Sequence, residues 1–449
     1  MGNYKGKSIS LERKQAVSLE DAIPQFLKSM RWSAEMNEHL VLSAWDKVTG
    51  AGAYTLSKYM KNGVLYCGIS SSVVRNQLFF NKEAIIEAIN KEVLSDPLFS
   101  SKKHKINFVP DSAIPFLEGV MEPYADVVYI PGNKICHDDI IDADAMMIRT
   151  RTHCNAELLE GTSVKFIATA TIGTDHIDFP YCDSHGIVVR NAPGCNAGGV
   201  MEYVFSALYG LASRKAINLE GDTIGIVGVG HVGSLIERMA LALGFRVLKC
   251  DPPRAAAEGP FGFCDLEYLL KNSQVVTMHT PLDETTRGMA DSHFFDLMQP
   301  GAFFINASRG EVVCDDALKA AMPKLGPVII DTWNNEPNID KELMDMVDIA
   351  TPHIAGYSYQ GKQNGTAAAV RAVAHYFGFQ ELFEFYPKAE FPENEAVKLD
   401  LKGLRQGEIA AVFQYNYPIF TDDFMFRLEP ENFEKLRSEY KYRREVFID

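Results

Sequence analysis

The chain has 449 residues, of which 47% are hydrophobic and 23% are charged, and its formal net charge is −15. This composition is typical of a globular protein with about three domains, and no apolar run is long enough for a membrane span or a signal peptide. The charge is uneven, since residues 1–105 carry 15 basic against 10 acidic side chains and the remainder carries 29 against 49. An acidic body of this size argues against nucleic-acid binding by the whole chain.

The eight cysteines are scattered singly, and no two of them form a C-x-x-C pair. This spacing predicts reduced thiols in the cytoplasm, with neither a disulfide framework nor a metal site. Cys195 has two interpretations, a reactive thiol or a small buried apolar residue, and the second is favoured.

The N-terminal part alternates helical and strand patterns. Ser18-Leu-Glu-Asp21 predicts a helix start that continues to Met30, and a second helix is expected over 37–48. Asn62-Gly63 lies between two apolar runs, at 56–60 and 64–69, and therefore predicts a β-hairpin. A helix over 72–92 follows, and the polar, basic stretch 99–105 is the expected boundary.

This order of elements resembles the DciA-like family over about residues 18–100. The resemblance depends on Trp45, Gly50, the Asn-Gly-Val-Leu-Tyr turn and the segment Ser-Ser-Ser-Val-Val-Arg-Asn-Gln-Leu78. It implies a KH-like α+β fold and a protein or nucleic-acid partner, contacted through Lys58, Lys61 or Arg75. Ordinary solvated surface charge is the alternative explanation of these three side chains.

From Ile106 the chain alternates strands and helices, which is typical of a parallel α/β sheet. The expected strands cover 105–109, 126–130, 145–149, 165–169 and 187–190, with a helix at 112–122. Because the nucleotide motif comes only later, these residues are expected to form a separate lobe. A long helix at 197–214 should lead into the second lobe.

The second lobe contains the motif Gly228-x-Gly230-x-x-Gly233 between two apolar strands. The first glycine permits a tight turn, the second lets a pyrophosphate approach the backbone, and the third lets helix and strand pack closely. Asp251 follows Gly233 by 18 residues, at the end of the next strand. A carboxylate there accepts the ribose hydroxyls and repels a 2′-phosphate, so the motif predicts NAD as the cofactor.

Three further loops carry residues suited to hydroxy-acid oxidation. Further strands are expected at 274–278, 302–306, 327–331 and 347–350, and a helix at 362–377. Arg309, Glu336 and His353 each follow one of these strands, so they are expected to meet at one edge of the sheet. His353 suits the base, Glu336 its orienting carboxylate, and Arg309 the anchor for a carboxylate and the developing carbonyl. Taken singly, each residue also has an ordinary structural explanation.

The set is similar to that of the D-2-hydroxyacid dehydrogenases over residues 106–449. Longer segments narrow the resemblance to the erythronate-4-phosphate dehydrogenase family. They are Lys165-Phe-Ile-Ala-Thr-Ala-Thr-Ile-Gly-Thr-Asp-His-Ile-Asp178, Asn191-Ala-Pro-Gly-Cys-Asn196, Met201-Glu-Tyr-Val-Phe205, Cys250-Asp-Pro-Pro-Arg254, His279-Thr-Pro-Leu282, His353-Ile-Ala-Gly-Tyr357 and the tail from Phe433 to Glu445.

This resemblance implies NAD-dependent oxidation of 4-phospho-D-erythronate in vitamin B6 biosynthesis. It further implies substrate contacts from Thr150, Thr171 and Tyr357. The implied NAD contacts are Asp251, Thr280, Ala307, Ser308, Arg309, Asp331 and Gly356. It also implies a homodimer built on the C-terminal unit. Because a phosphate needs cations or N–H donors, Arg149 and Arg151 at the crevice of the first lobe are candidates for the substrate phosphate, and Arg443 or Arg444 is a candidate contributed by a partner subunit.

The expected fold class is α/β, with four parts. A KH-like N-terminal domain covers 1–104, and a flavodoxin-like substrate domain covers 105–196, completed by 357–378. A doubly wound Rossmann NAD domain covers 197–356, and a small α+β dimerisation unit covers 379–449. Two alternative functions stay open at this point. One is oxidation of another hydroxy acid such as phosphoglycerate, and the other is a replication-associated binding protein with a vestigial dehydrogenase body.

Overall fold

The structure is a computed structural model that describes residues 33–61, 64–94, 105–388, 398–399, 401, 403–445 and 447–448. The helix expected from Ser18 to Met30 and the Asn62-Gly63 turn lie outside the described residues. The described residues belong to two compact units. The first draws on Met1–Phe108, Gly119–Val127 and His375–Gln380, and the second on Val109–Glu118, Val128–Ala374 and Glu381–Asp449.

The first unit contains a β-hairpin packed with helices. Its elements are α1 (Ser33–Thr49), β1 (Thr55–Lys61), β2 (Val64–Ile69), α2 (Ser72–Phe80) and α3 (Lys82–Leu94). The strands β1 and β2 are antiparallel, which confirms the hairpin prediction. A small core forms around Ala44, Trp45, Ile89 and Val93.

The single helix expected over 72–92 is wrong, because the chain forms two helices separated at Asn81. The Asn81 side chain donates to the carbonyl of Gln77 at 2.9 Å. An asparagine side chain that bonds to nearby backbone in this way competes with helix continuation. Strands β3 (Ile106–Pro110) and β4 (Ala125–Val127) follow and pair in parallel.

The helix expected over 112–122 is also wrong, since that segment forms successive turns. Ile114, Leu117 and Met121 are buried at helix-like spacing, which explains the misleading pattern. Pro115 cannot donate a backbone hydrogen bond, and Phe116 has a φ of 62°. A left-handed residue beside a proline excludes a regular helix here.

The first sheet of the second unit contains three parallel strands in the order β5 (Ala145–Ile148), β6 (Phe166–Thr169) and β7 (Val188–Arg190). The backbone N–H of Asp111, which also belongs to this unit, donates to the carbonyl of Met147 in β5 at 2.8 Å. Short helices connect the strands, namely α4 (His137–Ile140), α5 (Ala156–Leu159) and α6 (Phe179–Ser184).

The second sheet of this unit has six parallel strands in the order β13-β12-β11-β10-β8-β9. The strands are β8 (Thr223–Val227), β9 (Arg246–Cys250), β10 (Val275–Met278), β11 (Phe303–Asn306), β12 (Val328–Ile330) and β13 (Ile349–Ala350). Strands β9 and β10 lie on opposite sides of β8, so the chain crosses over β8 between them and continues along the other half of the sheet. This is the doubly wound arrangement that the sequence predicts. The α/β fold class is therefore confirmed.

Helices cover both faces of this sheet and bury two apolar clusters. They are α7 (Ala197–Arg214), α8 (His231–Ala242), α10 (Leu266–Asn272), α11 (Ser292–Leu297), α12 (Asp315–Ala321) and α13 (Lys341–Met346). Two further helices contribute no residue to these clusters, namely α9 (Pro252–Glu258) and α14 (Tyr359–Phe377). Strand β8 is buried at all five positions, as its β-branched run predicts. The long helix α7 is buried over most of its length.

The C-terminal part is mainly helical in the described residues. It contains β14 (Lys398–Leu399), α15 (Gln406–Asn416), α16 (Ile419–Leu428), α17 (Phe433–Ser438) and β15 (Phe447–Ile448), with β14 and β15 in parallel. Phe413 of α15 stacks on Phe205 of α7, which fixes α15 against the nucleotide lobe. Tyr415 and Phe424 of this part stay exposed, at 93% and 59%.

Candidate active site

Five strands of the second sheet end in one row. Val227, Met278, Asn306, Ile330 and Ala350 are the last residues of β8, β10, β11, β12 and β13, and each is paired with the next. The loops that follow therefore start at one edge, where ligands of open α/β sheets bind. A cavity of about 780 Å³ lies there, and its wall includes Arg309, Glu336 and His353.

His353 and Glu336 are in direct contact. Nδ1 of His353 lies 2.8 Å from Oε2 and 3.1 Å from Oε1 of Glu336, and both side chains are mostly buried. The backbone N–H of Trp333 donates to Oε1 of Glu336 at 3.0 Å. Burial acts to raise the pKa of Glu336, but the positive charge and hydrogen bond of His353 outweigh it, so the pKa lies below its usual range. An ionised Glu336 fixes the imidazole orientation and leaves Nε2 available for chemistry.

Asp331 holds the loop that carries His353. Its fully buried carboxylate accepts from the Thr351 hydroxyl at 2.7 Å and from the backbone N–H groups of Ile354 and Ala355 at 2.8 and 2.9 Å. The carbonyl of Asp331 also accepts from the N–H of His353, whose φ is 57°. The left-handed conformation of a histidine is sterically costly, and these four bonds stabilise it.

Arg309 follows strand β11 and lines the same cavity. Its Nε and one terminal nitrogen each donate to Oδ2 of Asp175 at 3.4 Å, and the other terminal nitrogen donates to the Ser308 carbonyl at 2.9 Å. The guanidinium lies against Gly173, where a side chain would collide with it. The planar donor face of Arg309 is thus directed to a carboxylate, and a substrate carboxylate fits the same geometry.

The glycine motif forms the expected turn between β8 and α8. A Cβ at Gly228 would collide with the backbone of His279 and Thr280, and a Cβ at Gly233 would lie 2.2 Å from the Gly228 carbonyl oxygen. A Cβ at Gly230 would meet nothing within 4 Å. The first and third glycines are therefore required by packing, whereas open space beside the second is what a pyrophosphate needs.

Asp251 caps the next helix and braces the turn. One carboxylate oxygen accepts from the N–H of Arg254 at 3.0 Å, and the other from the N–H of Val229 at 2.7 Å. The three glycines and Asp251 are not among the residues that line the 780 Å³ cavity. Val232, at the start of α8, does line it. Thr280, Ala307, Ser308, Asp331 and Gly356 all line the cavity. The buried hydroxyl of Thr280 has no hydrogen-bond partner among the described residues, so it is available to a dinucleotide.

The three predicted substrate residues also line the cavity, namely Thr150, Thr171 and Tyr357. The Thr171 hydroxyl contacts that of Thr169 at 2.6 Å. Arg437 donates through Nε to the Tyr357 hydroxyl at 3.1 Å. Burial acts to raise the pKa of Tyr357, but the positive charges of Arg437, Lys362 and Arg149 outweigh it and lower the pKa.

The predicted phosphate candidates differ in their surroundings. Arg149 and Arg151 line the cavity. Arg149 donates to the buried Asp111 at 2.9 Å, and Arg151 pairs with Glu434. Arg443 is instead occupied within the fold, since it donates to the carbonyls of Gly199, Ile354, Ala355 and Tyr357. It therefore braces the loop after His353 and is not available to a phosphate.

Two residues of the cavity wall were missed by the sequence analysis, Lys362 and Arg437. Lys362 begins the predicted helix at 362–377, which also contains Arg371 and several uncharged polar residues, so its sequence position carries no signal of a cavity. Arg437 belongs to the tail segment used for the family resemblance, but nothing in its spacing indicates a contact 80 residues away with Tyr357.

Other titratable groups near the cavity are unsuited to catalysis. Burial lowers the pKa of His279 to about 3 and of His176 to about 4, so both are weak bases. Burial raises the pKa of Cys195 to about 11, which keeps the thiol protonated and favours the apolar interpretation. Within the part of the chain that the structure describes, no cluster of His, Cys, Asp or Glu fits a metal ion. No helix there has the length and apolar composition that a membrane crossing requires.

Comparisons with known proteins identify relatives of both parts of the chain. The family model for the NAD-binding domain of D-isomer specific 2-hydroxyacid dehydrogenases matches residues 208–355, and that for DciA, the Dna[CI] antecedent, matches 18–98. The chain is 41% identical over 347 residues to the erythronate-4-phosphate dehydrogenase of Bacteroides thetaiotaomicron, which covers 76% of this chain and 97% of that relative. The same enzyme of Yersinia pestis is 40% identical over 344 residues, with 75% and 92% covered.

Solved structures show the same fold. The D-lactate dehydrogenase of Aquifex aeolicus, solved with NAD and lactic acid, aligns with a TM-score of 0.53 and 26% identity, over 62% of this chain and 97% of that chain. The NAD-bound 3-phosphoglycerate dehydrogenase of Entamoeba histolytica aligns with a TM-score of 0.52 and 25% identity, over 64% and 100%.

Proposed function

The chain belongs to the erythronate-4-phosphate dehydrogenases, NAD-dependent enzymes of the D-2-hydroxyacid dehydrogenase family, and we propose that it oxidises 4-phospho-D-erythronate. The product is (R)-3-hydroxy-2-oxo-4-phosphooxybutanoate, and the reaction is a step of pyridoxal 5′-phosphate (vitamin B6) biosynthesis. The observation that carries the proposal is the contact between His353 and Glu336 in a cavity that also contains Arg309.

His353 is the catalytic base in this proposal. With its Nδ1–H donated to Glu336, the neutral imidazole presents Nε2 as an acceptor for the proton of the substrate C2 hydroxyl. The Glu336 carboxylate then stabilises the imidazolium that forms. In the reverse direction the same nitrogen returns the proton. Bound NAD supplies the hydride acceptor for the hydrogen on C2.

Arg309 anchors the substrate in the same scheme. Its guanidinium binds the C1 carboxylate in place of Asp175 and stabilises the carbonyl that develops at C2, for which a planar fork is better suited than a lysine. Thr150, Thr171 and Tyr357 add hydrogen bonds to the substrate. The space beside Gly230 and the donors Thr280, Ala307 to Arg309 and Gly356 receive the dinucleotide, while Asp331 supports their loops. Asp251 selects NAD through the ribose.

The C-terminal part serves as a dimer contact in this proposal. Large apolar side chains stay exposed on α15 and α16, namely Tyr415, Phe424, Met425 and Leu428. Exposed groups of this kind favour burial against a second copy. We further propose a cytoplasmic location and a protein or nucleic-acid partner for the DciA-like N-terminal domain. In the same proposal the chain has four domains: an N-terminal domain at 1–104, a substrate domain at 105–196 completed by 357–378, an NAD domain at 197–356 and a dimerisation unit at 379–449.

The decisive experiment is turnover by the purified full chain with 4-phospho-D-erythronate and NAD, in the presence of a 2-oxo acid that can reoxidise bound NADH. Formation of the 2-oxo product is followed together with reduction of the acceptor. Equal turnover of 3-phosphoglycerate would instead make the chain a broader hydroxy-acid dehydrogenase. No turnover of either compound would leave a binding protein with a vestigial dehydrogenase body. Sedimentation of the same sample tests the dimer.

A further inference from the structure

Lys362 is a cation in the cavity wall, and no described residue of the chain provides it with an anionic partner. It lies in the first turns of α14, and its ammonium group is 3.8 Å from the centre of the Tyr357 ring and 5.2 Å from that of Tyr442. No carboxylate or carbonyl of the described residues accepts a hydrogen bond from this ammonium. A half-buried charge in this state is costly, so its surroundings suit an anionic ligand.

Two further cations belong to the same cluster. Arg437 of α17 donates to the Tyr357 hydroxyl at 3.1 Å, and a terminal nitrogen lies 4.0 Å from Oε2 of Glu336. Arg149 follows β5 and uses its Nε to bind Asp111 at 2.9 Å. The electrostatic effect of both arginines reaches Lys362, because burial and these two charges together lower its pKa.

The cluster has more positive than negative charge. Its three cations face the carboxylates of Asp111, Glu336 and Glu434, and Glu434 is paired with a fourth cation of the cavity wall, Arg151. The Glu336 carboxylate is already bound to His353 and the Trp333 N–H. The Asp111 carboxylate accepts from Gly132 and Ala113 as well as from Arg149. The Lys362 ammonium and most guanidinium donors of Arg437 therefore have no carboxylate of their own.

We propose that Lys362, Arg437 and Arg149 form the subsite for the terminal phosphate of the substrate, with Tyr357 and Tyr442 as its walls. The identity of the substrate rests on the proposed function, whereas the specificity for a phosphate dianion rests on this cluster. Two arginines offer planar forks for phosphate oxygens, and the lysine adds a point charge. Arg309, which pairs with Asp175, provides a separate site for the carboxylate at the other end of the substrate.

The cluster lies close to the catalytic base His353, as expected if the cluster binds the phosphate of the substrate and Arg309 binds its carboxylate. Arg437 contacts the Tyr357 hydroxyl and approaches Glu336, so the phosphate subsite adjoins the His353 and Glu336 pair. A substrate held by its phosphate at Lys362 and by its carboxylate at Arg309 would present the carbon between them to His353. A substrate that is bound at both of its charged ends holds the reacting carbon in place more firmly than a substrate that is bound at one end.

The test begins with equilibrium binding, which does not depend on turnover. Inorganic phosphate is titrated into the full chain loaded with NAD, by calorimetry, for the wild type and for Lys362→Gln, Arg437→Gln and Lys271→Gln. Lys271 is an exposed lysine of α10 outside the cavity, paired with Glu267, and serves as the matched control. The expected result is at least a tenfold loss of phosphate affinity in the first two variants and no change in the third.

A kinetic comparison then separates the phosphate from the rest of the substrate. Lys362→Gln should lower kcat/KM for 4-phospho-D-erythronate about 100-fold, as loss of a partner from a desolvated ion pair does, and lower kcat/KM for unphosphorylated D-erythronate far less. Equal losses for both compounds would overturn the subsite while leaving the enzyme function intact. So would phosphate affinity that is absent in the wild type or unchanged in both variants.

The two proposals can fail separately. If the wild type binds phosphate through Lys362 but does not oxidise 4-phospho-D-erythronate, the proposed function is wrong and the subsite stands as an anion site of another substrate. NAD affinity and circular dichroism identify a variant that has not folded. In that case the other of the two variants, Lys362→Gln or Arg437→Gln, decides the result.

Discussion

The Nδ1 atom of His353 lies 2.8 Å from Oε2 of Glu336, and the two residues come from loops that follow adjacent parallel strands. The pair can transfer a proton only if the carboxylate is ionised, which the low pKa of Glu336 ensures. His353→Ala should therefore reduce kcat by at least about 10³-fold, within the range for loss of a general base, and leave NAD affinity within about twofold. Single-turnover kinetics and NAD titration measure the two effects.

Glu336→Gln tests the same pair with a smaller change than His353→Ala. The amide keeps the shape and one acceptor but removes the charge that stabilises the imidazolium. We expect a loss in kcat of about 10²-fold with little change in KM, because the interaction strengthens only as His353 takes the proton. A KM that rises while kcat stays constant would contradict this role and indicate ground-state binding instead.

Asp331→Ala should be both unstable and inactive. The substitution removes the acceptor for the N–H groups of Ile354 and Ala355 and for the Thr351 hydroxyl. Unsatisfied buried donors destabilise, so the free energy of unfolding should fall by roughly 2–4 kcal/mol in denaturant titrations. Asp331→Asn, which keeps an acceptor, should retain more stability than the alanine variant. Equal stability of both variants would show that the buried bonds matter less than the local shape.

Gly230→Ala should weaken NAD binding without destabilising the fold. The added methyl group meets no protein atom within 4 Å, so denaturant titration should give an unchanged midpoint. The same space is where the pyrophosphate lies in the proposal, so NAD affinity should fall about tenfold. Gly233→Ala is the contrast, because its Cβ would lie 2.2 Å from the Gly228 carbonyl oxygen and must displace the backbone. Loss of stability in Gly230→Ala would count against the open site.

Asp175→Asn should tighten substrate binding. In the structure Asp175 occupies two donors of Arg309 at 3.4 Å, and the substrate carboxylate must replace it. Removing the competing charge should lower KM by up to about fivefold, since exposed ion pairs contribute about 1 kcal/mol or less. The matched variant Arg309→Lys should instead raise KM and lower kcat. An increased KM in Asp175→Asn would mean that Asp175 positions Arg309 for the substrate.

Lys362 should make the folded protein less stable at neutral pH than at high pH, because its charged form is unfavourable in the fold. Burial and the charges of Arg149 and Arg437 place its folded-state pKa below the unfolded value of 10.5. The protonated form therefore destabilises the fold at pH values below the folded pKa, and this penalty disappears as the pH rises through the unfolded pKa. Lys362→Met should accordingly be more stable than the wild type at pH 7, and the difference should shrink toward pH 10.5 in urea titrations. A constant difference would indicate packing alone.

Much of the scaffold could be predicted from local patterns, because buried parallel strands need continuous apolar runs such as Ile224 to Val227. The row of strand ends then determines where Arg309, Glu336 and His353 lie. The segment at 112–122 shows the limit of that reasoning. Ile114, Leu117 and Met121 have the spacing of a helix face, yet turns bury them, since Pro115 and the left-handed Phe116 exclude a helix.

The anion cluster could not be predicted for a different reason. Lys362 and Arg437 are separated by 74 residues of sequence, and only the packing of α17 beside Tyr357 brings them together. A charged residue at the start of a helix or in a tail is most often solvated. The absence of an acceptor for Lys362 is a property of the folded surroundings, so no spacing rule reveals it.

The four carbonyl contacts of Arg443 affect the order in which the enzyme becomes competent. The catalytic loop at 354–357 is fastened by a residue that the ribosome adds 86 or more residues later. A nascent chain that has already folded its nucleotide sheet would still lack this brace, and so would a mature chain clipped by a protease just before residue 443. Because Gly356 lies in the same loop, such a chain should lose turnover and also hold NAD more weakly than the intact enzyme.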